Sequence, residues 1–373
     1  PTKEDLQNAV CIKRRNKTTT RPNKNLYVAL SKLQPEIEKY VEKNESSWRK
    51  NSQNETRKYL KEGLKDRAVT RNLDWGVEIP IEGYKDKRMY VWIDAVLGYI
   101  TTAMRYCEEN GLNWENWWKE NKENENRIYM VHGKDNIMFH TLILPGLLIG
   151  AKDNYLLPDK IVSTEYLNFN DQKFSKSKGI GMTILEALDK FNVDTLRFHL
   201  IKNGPETRDS NFTEEEYILT HNEVTNKLGN FVNRTLKYKG LTNIPNGNMN
   251  EEVKKYLEDK YVEISQSIEN IEFKNAANKI MELLDYANKY YDESKPWVQI
   301  KENEEEFNNT IYTCSVIIAN ISNLIEAFMP ETAQKIRNYL NIADKSWNYI
   351  EVEKGLKLEN IQALFERMSN AGQ

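Results

Sequence analysis

"KIVSTEYLNFNDQKFSKSKGIGMTILEALDKF", residues 160 to 191, passes from an alternating apolar stretch through a dozen positions rich in Lys, Ser and Gly into a segment with helical spacing. A period of two predicts a strand over "KIVSTEYLNF". Thr183 and Glu186 fit a capping box that opens a helix, so the lysine loop 171–182 joins a strand to a helix. The same order recurs upstream. "RMYVWI" (88–93) reads as a strand with "AVLGYITTAMRYCEEN" (95–110) as the helix behind it, and "IYMV" (128–131) reads as a buried strand leading through "GKD" into the helical "FHTLILPGLLIGA" (139–151). Strands and helices in alternation imply a parallel sheet with helical crossovers. Three strands make a narrow sheet for a nucleotide-binding domain, which usually has five or six.

Beyond about Thr213 no strand pattern continues. Residues 214–240, 251–271, 275–294 and 305–329 all carry apolar side chains at intervals of three and four, which predicts a helix bundle, with Pro330 ending the fourth helix. On the N-terminal side, the first 45 residues read as charged turns around one short strand, "NLYVAL" (25–30). "SSWRKNSQNETRKYLKEGLKD" (46–66) then takes up helical spacing, and the two stretches together read as an inserted subdomain.

Composition narrows the function classes. A formal charge of −3 excludes a generally basic nucleic-acid coat, so any RNA contact is local. Cys11, Cys107 and Cys314 are too few and too far apart for a disulfide framework or a metal quartet, which points to a reducing compartment. The longest apolar run, "TLILPGLLIGA", is too short for a membrane span and contains a proline, and "PTKEDLQ" is unlike a leader, so a cytoplasmic location is expected. Neither GxxxxGK[ST] nor GxGxxG occurs, which argues against a P-loop or dinucleotide site. No metal triad is evident among His132, His140, His199 and His221.

Ligands of open α/β sheets sit beyond the carboxyl ends of the strands. Three loops fall there: "WIDAVLGY" (92–99), "HGKDN" (132–136) and "KFSKSKG" (173–179). Gly133 would let a ligand approach the backbone, and Asp135 would accept from ribose hydroxyls. Lys173 and Lys176 would place positive charge where a leaving pyrophosphate accumulates negative charge. From the residues alone, the same loop reads first as a solvated surface turn, and His140 is equally a hydrogen-bonded core histidine.

"KFSKS" (173–177) resembles the KMSKS signature of class I aminoacyl-tRNA synthetases, and "STEYLNFNDQKFSKSKGIG" (163–181) is similar to the methionyl-tRNA synthetases, especially their archaeal and eukaryotic-like branch. "GLKDRAVTRNLDWGVEIP" (63–80), "MYVWIDAVLGYIT" (89–101), "VHGKDNIMFHTLILPGLL" (131–148) and the closing "ENIQALFERM" (359–368) resemble further blocks of that family in the same order. The resemblance implies an incomplete Rossmann-type α/β catalytic domain followed by an all-α anticodon-binding bundle. It divides the chain into a connective-peptide remnant with its returning helix (1–80), the second half of the Rossmann domain (81–160), a signature-loop and stem-contact region (161–213) and the anticodon domain (214–373), whose final segment folds back.

The implied reaction is ATP-dependent activation of L-methionine, with Mg2+, to methionyl-adenylate, followed by transfer to tRNA(Met). By the same resemblance Lys173 and Lys176 are the catalytic phosphate contacts, and Gly133, Asp135 and Ser175 complete the ATP side. Arg71, Trp92, Ala95, Val96, Tyr99, Asn136, Ile137 and His140 form the methionine pocket, and Asn230, Arg234 and Trp297 read the anticodon. Without it, Arg71 is as well explained by an ion pair with Asp66 or Asp74, Asn230 and Arg234 by an ordinary polar pair, and Trp297 by a core position.

Some family features are missing. No His-x-Gly-His sequence occurs, so a fragment inactive alone is expected, with the N-terminal half of the catalytic domain as its absent partner. Cys11 stands in "CIKR" where relatives carry paired cysteines, so no zinc is expected, and Val96 replaces a common proline. Nothing follows "ALFERM" that resembles the dimer-forming appendage of some relatives, which implies a monomer. Two other readings stay open: a non-catalytic tRNA-binding module, and a class I synthetase for leucine, isoleucine, valine or cysteine, although no large editing domain is present.

Overall fold

The computed structural model describes residues 22–121, 125–343 and 345–369. The chain divides into two compact units, Pro1–Ile161 and Val162–Gln373.

The core of the first unit is built by helices whose apolar residues share a face. Helix Leu30–Asn44 buries Leu30, Ile37, Tyr40 and Val41. The sequence reads as turns here because Pro35 lies inside the helix, where proline removes a backbone donor and crowds the preceding turn. Helix Lys50–Glu62 follows as expected. The apolar run 139–151 is helical throughout, first as a π-helical turn Phe139–Ile143 and then as α-helix Leu144–Ala151. At Gly146 this helix comes so close to helix Leu30–Asn44 that an added Cβ would lie 2.8 Å from a Leu30 methyl and 3.2 Å from one of Ile37. Trp48 closes the core and donates from Nε1 to the carbonyl of Asp159 at 3.0 Å.

Two strand expectations need correction. "RMYVWI" is a strand only at Arg88–Met89, which pairs antiparallel with Thr70–Arg71, and helix Val91–Glu109 begins almost at once. Burial of Ile93, Val96 and Ile100 on one helical face outweighs the brief alternation before it. "KIVSTEYLNF" is likewise two strands. Lys160–Thr164 neighbours Tyr129–Gly133, whereas Leu167–Phe169 pairs antiparallel with Gln172–Lys173 and parallel with Ser210–Phe212. Among the described residues the three expected strands are thus divided among separate short sheets, while the α/β class itself holds, with Leu167–Phe169 and Ser210–Phe212 pairing in parallel.

In the second unit the capping box forms as expected: Thr183 Oγ1 accepts from Glu186 N, and the Glu186 carboxylate accepts from Thr183 N. Among the described residues no strand follows Ser210–Phe212. The bundle's long helices are Glu251–Glu269, Phe273–Ser294 and Glu304–Leu324, preceded by the continuous helical run 214–236. Pro330 does not end the last long helix, which stops at Leu324; it opens helix Pro330–Tyr339, where its missing N–H would be unused anyway.

Helix Glu304–Leu324 is buried on every side over its last fifteen residues, so each polar group there needs an internal partner. Asn320, fully buried, meets that demand by gripping the main chain of Ile350. Its Nδ2 donates to Ile350 O at 2.8 Å, and its Oδ1 accepts from Ile350 N at 3.0 Å and from the Tyr261 hydroxyl at 3.0 Å. Asn222 holds Met368 in the same two-pronged way, at 2.9 and 3.0 Å. The segment after 345 is thereby bound back onto the bundle, with Leu364 and Phe365 in its core.

Replacing Asn320 by Leu leaves the Ile350 N–H and C=O without these partners and removes the side-chain acceptor of the Tyr261 hydroxyl. We expect a loss of about 2–4 kcal/mol, read as a lower denaturant midpoint at unchanged slope; an unchanged midpoint would show that the grip contributes nothing.

Candidate functional site

In the first unit, placing Ile93, Val96 and Ile100 in the core leaves Trp92, Ala95 and Tyr99 exposed on the adjacent helical face. Alongside, strand Tyr129–Gly133 ends in the 3-10 turn Lys134–Asn136, and the helical run from Phe139 carries His140. Side chains join the two elements. The Trp92 ring lies 5.7 Å from Phe139, and the Tyr99 hydroxyl is 2.9 Å from His140 Nε2. His140 is buried and its Nδ1 is 2.9 Å from the Asn136 carbonyl, so both ring nitrogens are engaged. Trp92 and Tyr99 remain nearly half exposed, which leaves an aromatic face open to a ligand and backed by a bonded histidine.

The other residues expected here are placed unevenly. Val96 and Ile137 are core residues that back this face rather than line it. Arg71 makes neither of the ion pairs considered for it. Its guanidinium lies 4.0 Å from the centre of the Tyr90 ring and donates to the carbonyls of Ala68 and Thr70, while the Asp66 carboxylate is bonded by Ser31. Gly133 has ordinary extended dihedrals, and nothing lies within 4 Å of where a Cβ would stand, so the local backbone itself does not require glycine. Asp135 is exposed on the turn.

The lysine loop of the second unit is a closed turn. Ser175 and Ile180 exchange both main-chain hydrogen bonds, at 2.9 and 3.0 Å, around the 3-10 turn Lys176–Lys178. Gly179 and Gly181 take positive φ of 67° and 124°, and a Cβ on Gly181 would collide with the Phe174 ring. At Gly181 glycine is therefore required both by conformation and by contact. The Phe174 ring lies 5.6 Å from that of Phe169 although it is 46% exposed, and Lys173, Lys176 and Lys178 are exposed, with Lys173 Nζ 4.6 Å from the Tyr166 ring centre. A closed turn presenting ammonium groups is suited to a polyanion.

In the bundle, Arg234 donates to Asp292 at 2.7 Å and to the Asn288 carbonyl and side-chain oxygens, and lies 4.1 Å from the centre of the Tyr291 ring. Tyr291 is in turn 6.3 Å from Trp297, which is 47% exposed on helix Pro296–Glu302. Trp297 is thus no core residue. Asn230 is exposed on the same helix as Arg234. Sequence reasoning gives no role to Phe139, Tyr291 or His132; the Arg234–Tyr291 contact spans 57 positions and leaves no local pattern. Cys11 lies outside the described residues. Cys107 and Cys314 are buried thiols, and burial pushes the Cys314 thiol up. Among the described residues no His, Cys, Asp and Glu group suits a metal ion, and no helix is long and apolar enough to cross a membrane.

The family described as tRNA synthetases class I (M) matches residues 2–236, and that described as the anticodon binding domain of methionyl tRNA ligase matches residues 243–371. Over 350 residues the chain is 41% identical to methionine–tRNA ligase 1 of Alkaliphilus oremlandii, covering 92% of this chain and 63% of that protein. It is 41% identical over 351 residues to the methionine–tRNA ligase of Bacillus mycoides, with the same coverage. The chain therefore spans 63% of the length of these relatives. Mycobacterium tuberculosis methionyl-tRNA synthetase, solved in complex with methionyl-adenylate, shares the fold with a TM-score of 0.80 over 96% of this chain and 72% of that one, at 24% identity.

Burial pulls His132 in the first unit down to about 4, helped by His140 and opposed by its bond to Gly133 O; burial, helped by Lys202, does the same to His199 in the second. These rings stay neutral in the fold, whereas an unfolded chain protonates histidine below about 6.5. Between those values the unfolded state binds more protons, so stability is full above about pH 6.5 and falls as pH drops toward 4. Thermal melts across that range should show the decline, and His199→Gln should reduce it; a flat profile would contradict the burial argument.

Proposed function

We propose, because the chain belongs to the class I tRNA synthetase (M) family, that it carries the substrate-pocket, signature-loop and anticodon-reading parts of a methionine–tRNA ligase. The reaction is attack of the methionine carboxylate on the α-phosphorus of ATP, releasing pyrophosphate, and then transfer of the acyl group to the terminal ribose of tRNA(Met). The observation that carries this reading is the open aromatic face of Trp92 and Tyr99 backed by His140, since a thioether packs well against ring edges. Arg71, Ala95 and Asn136 belong to that pocket, with Val96 and Ile137 supporting it from beneath. Gly133 and Asp135 serve ATP, which brings Mg2+ with it. Lys173, Lys176 and Ser175 hold its phosphates, contributing charge and position rather than acid or base chemistry.

For the whole chain we propose the division at 1–80, 81–160, 161–213 and 214–373, cytoplasmic location and a monomeric state. The archaeal and eukaryotic-like affinity rests on motif wording alone; the relatives described above are bacterial, and a phylogeny grouping the chain with them would remove it. The catalytic partner we propose for these parts is the portion that the relatives carry outside the matched region.

The 373 residues contain no His-x-Gly-His. Alone they should give no methionine-dependent ATP–pyrophosphate exchange. Supplied with the unmatched portion of a bacterial relative, exchange should appear, and Lys176→Ala should lower it by about 10²–10³-fold. Exchange by the chain alone, or exchange indifferent to Lys176, would overturn the assignment.

We assign Asn230, Arg234 and Trp297 to the anticodon. Trp297 offers an exposed ring to a splayed base, and the Arg234–Tyr291 stack supports it from behind. Trp297→Ala should weaken binding of a CAU anticodon stem-loop by about 1–3 kcal/mol, the worth of one base–aromatic stack, with unchanged circular dichroism. Equal affinity in a correctly folded variant would rule the tryptophan out.

A further inference from the structure

His221 enters none of these assignments, yet it is buried and both its ring nitrogens are engaged. Two runs of contacts cross at this residue, each leading from the lysine loop to the closing segment 359–369. The first run is aromatic. The Phe174 ring, which lies against Gly181 of the loop, is 5.6 Å from Phe169; Phe169 stacks on Phe212 at 6.1 Å, and Phe212 meets Phe191 edge-on at 5.9 Å. Phe191 is 4.3 Å from Tyr217, Tyr217 is 5.9 Å from His221, and the imidazole meets Phe365 edge-on at 6.1 Å. Strands Leu167–Phe169 and Ser210–Phe212, the end of helix Ile184–Lys190 and helix Glu214–Val224 all contribute rings, so the run passes through each element that frames the loop.

The second run is of hydrogen bonds. A main-chain carbonyl only accepts, so His221 Nε2 donates to Glu366 O at 2.7 Å. In the neutral ring Nδ1 then accepts, and the Thr195 hydroxyl donates to it at 2.9 Å. Thr195 Oγ1 accepts in turn from the Tyr217 hydroxyl at 2.9 Å, and that hydroxyl accepts the Asn192 N–H at 3.0 Å. Asn192 follows the helix into which the loop runs, and its side chain caps helix Val193–Lys202. Tyr217, Thr195 and His221 are all buried, where bonds aligned in one sense polarise one another. Next to His221, Asn222 grips the main chain of Met368. Met368 packs on the same buried cluster as Phe169, Met182 and Ala187, which belong to the strand before the loop, the loop and the helix after it.

We infer that His221 is a positioning residue for the lysine loop: by holding the closing segment against helix Glu214–Val224 it fixes the base from which Lys173 and Lys176 reach their ligand. The inference rests on the assignment of those lysines to the ATP phosphates. Within the loop, the closing contacts are the two main-chain bonds between Ser175 and Ile180 and the half-exposed Phe174 ring, so the direction in which the ammonium groups point is set by what lies beneath. Charge stabilisation depends on that direction, because a displaced ammonium no longer faces the oxygens where negative charge develops. The closing segment thereby serves the chemical step through the loop, without touching the substrate.

The test is amide hydrogen exchange of the folded 373-residue chain, read on peptides spanning 172–182 and 359–369. His221→Leu should speed exchange in both by about tenfold, with helices Glu251–Glu269 and Phe273–Ser294 as protected as in the parent. Phe365→Leu, which cuts the aromatic run at its far end while keeping an apolar side chain, should act in the same direction and decides the matter if His221→Leu fails to fold. Ile311→Val, which thins the bundle core away from both runs, should leave the loop unchanged. Loop exchange unmoved in the folded variants, or raised equally by Ile311→Val, overturns the inference. With the unmatched portion of a bacterial relative supplied, His221→Leu should raise KM for ATP about tenfold at unchanged KM for methionine, and an unchanged KM for ATP overturns the inference as well. No ATP–pyrophosphate exchange in the supplemented parent would instead remove the phosphate assignment of Lys173 and Lys176, leaving the hydrogen-exchange result to stand or fall alone.

Discussion

The hydrogen bond from His140 Nδ1 to the Asn136 carbonyl governs the first unit's chemistry. It links the helical run from Phe139 to the 3-10 turn Lys134–Asn136 four positions earlier, and it leaves Nε2 to accept from the Tyr99 hydroxyl. Tyr99 is aimed in turn by the packing of Ile93, Val96 and Ile100 on the neighbouring face of its helix. A polar contact at the surface is thus fixed by an apolar one in the core. Burial supplies the remaining condition, because it keeps the imidazole neutral and able to accept.

The second unit meets the same constraint on a larger scale. A helix with no exposed face over fifteen residues can hold Thr, Ser and Asn only if each finds an internal partner. Asn320 finds the main chain of Ile350, and Asn323 Nδ2 donates to the Asn348 carbonyl and the Tyr261 hydroxyl, although its Oδ1 is buried without a partner. These bonds, together with antiparallel main-chain pairing of residues 242–244 with 355–358, hold the last part of the chain against the bundle. The arginine and tryptophan assigned to base recognition stand on helices packed on this same core, with Tyr291 as the shared wall between them.

Which of this is legible in the sequence follows from how local each signal is. The capping box at Thr183, the four long helices of the bundle and the lysine loop all depend on residues within a few positions of one another. Helix Leu30–Asn44 is hidden by one proline, and "RMYVWI" misleads because a two-residue strand runs straight into an amphipathic helix. "KIVSTEYLNF" keeps its alternation while changing partners at Glu165–Tyr166, a switch that periodicity cannot register. The candidate site divides the same way. Lys173 and Lys176 are visible by composition, whereas the Arg71–Tyr90 and Arg234–Tyr291 stacks and the His132–His140 pair depend on which elements the fold sets side by side.

The two asparagine grips have a consequence for how this chain can vary. Each recognises an N–H and a C=O, groups that every residue but proline supplies, so the side chains at positions 350 and 368 are read by packing alone. Positions 350 and 368 can therefore drift in sequence while the path is kept, so long as Asn222 and Asn320 stay and no proline enters at either, whereas Val352, Leu364 and Phe365 are held to apolar side chains by the core they enter. At the two gripped positions the path is stored in the bundle, not in the stretch of chain that follows it.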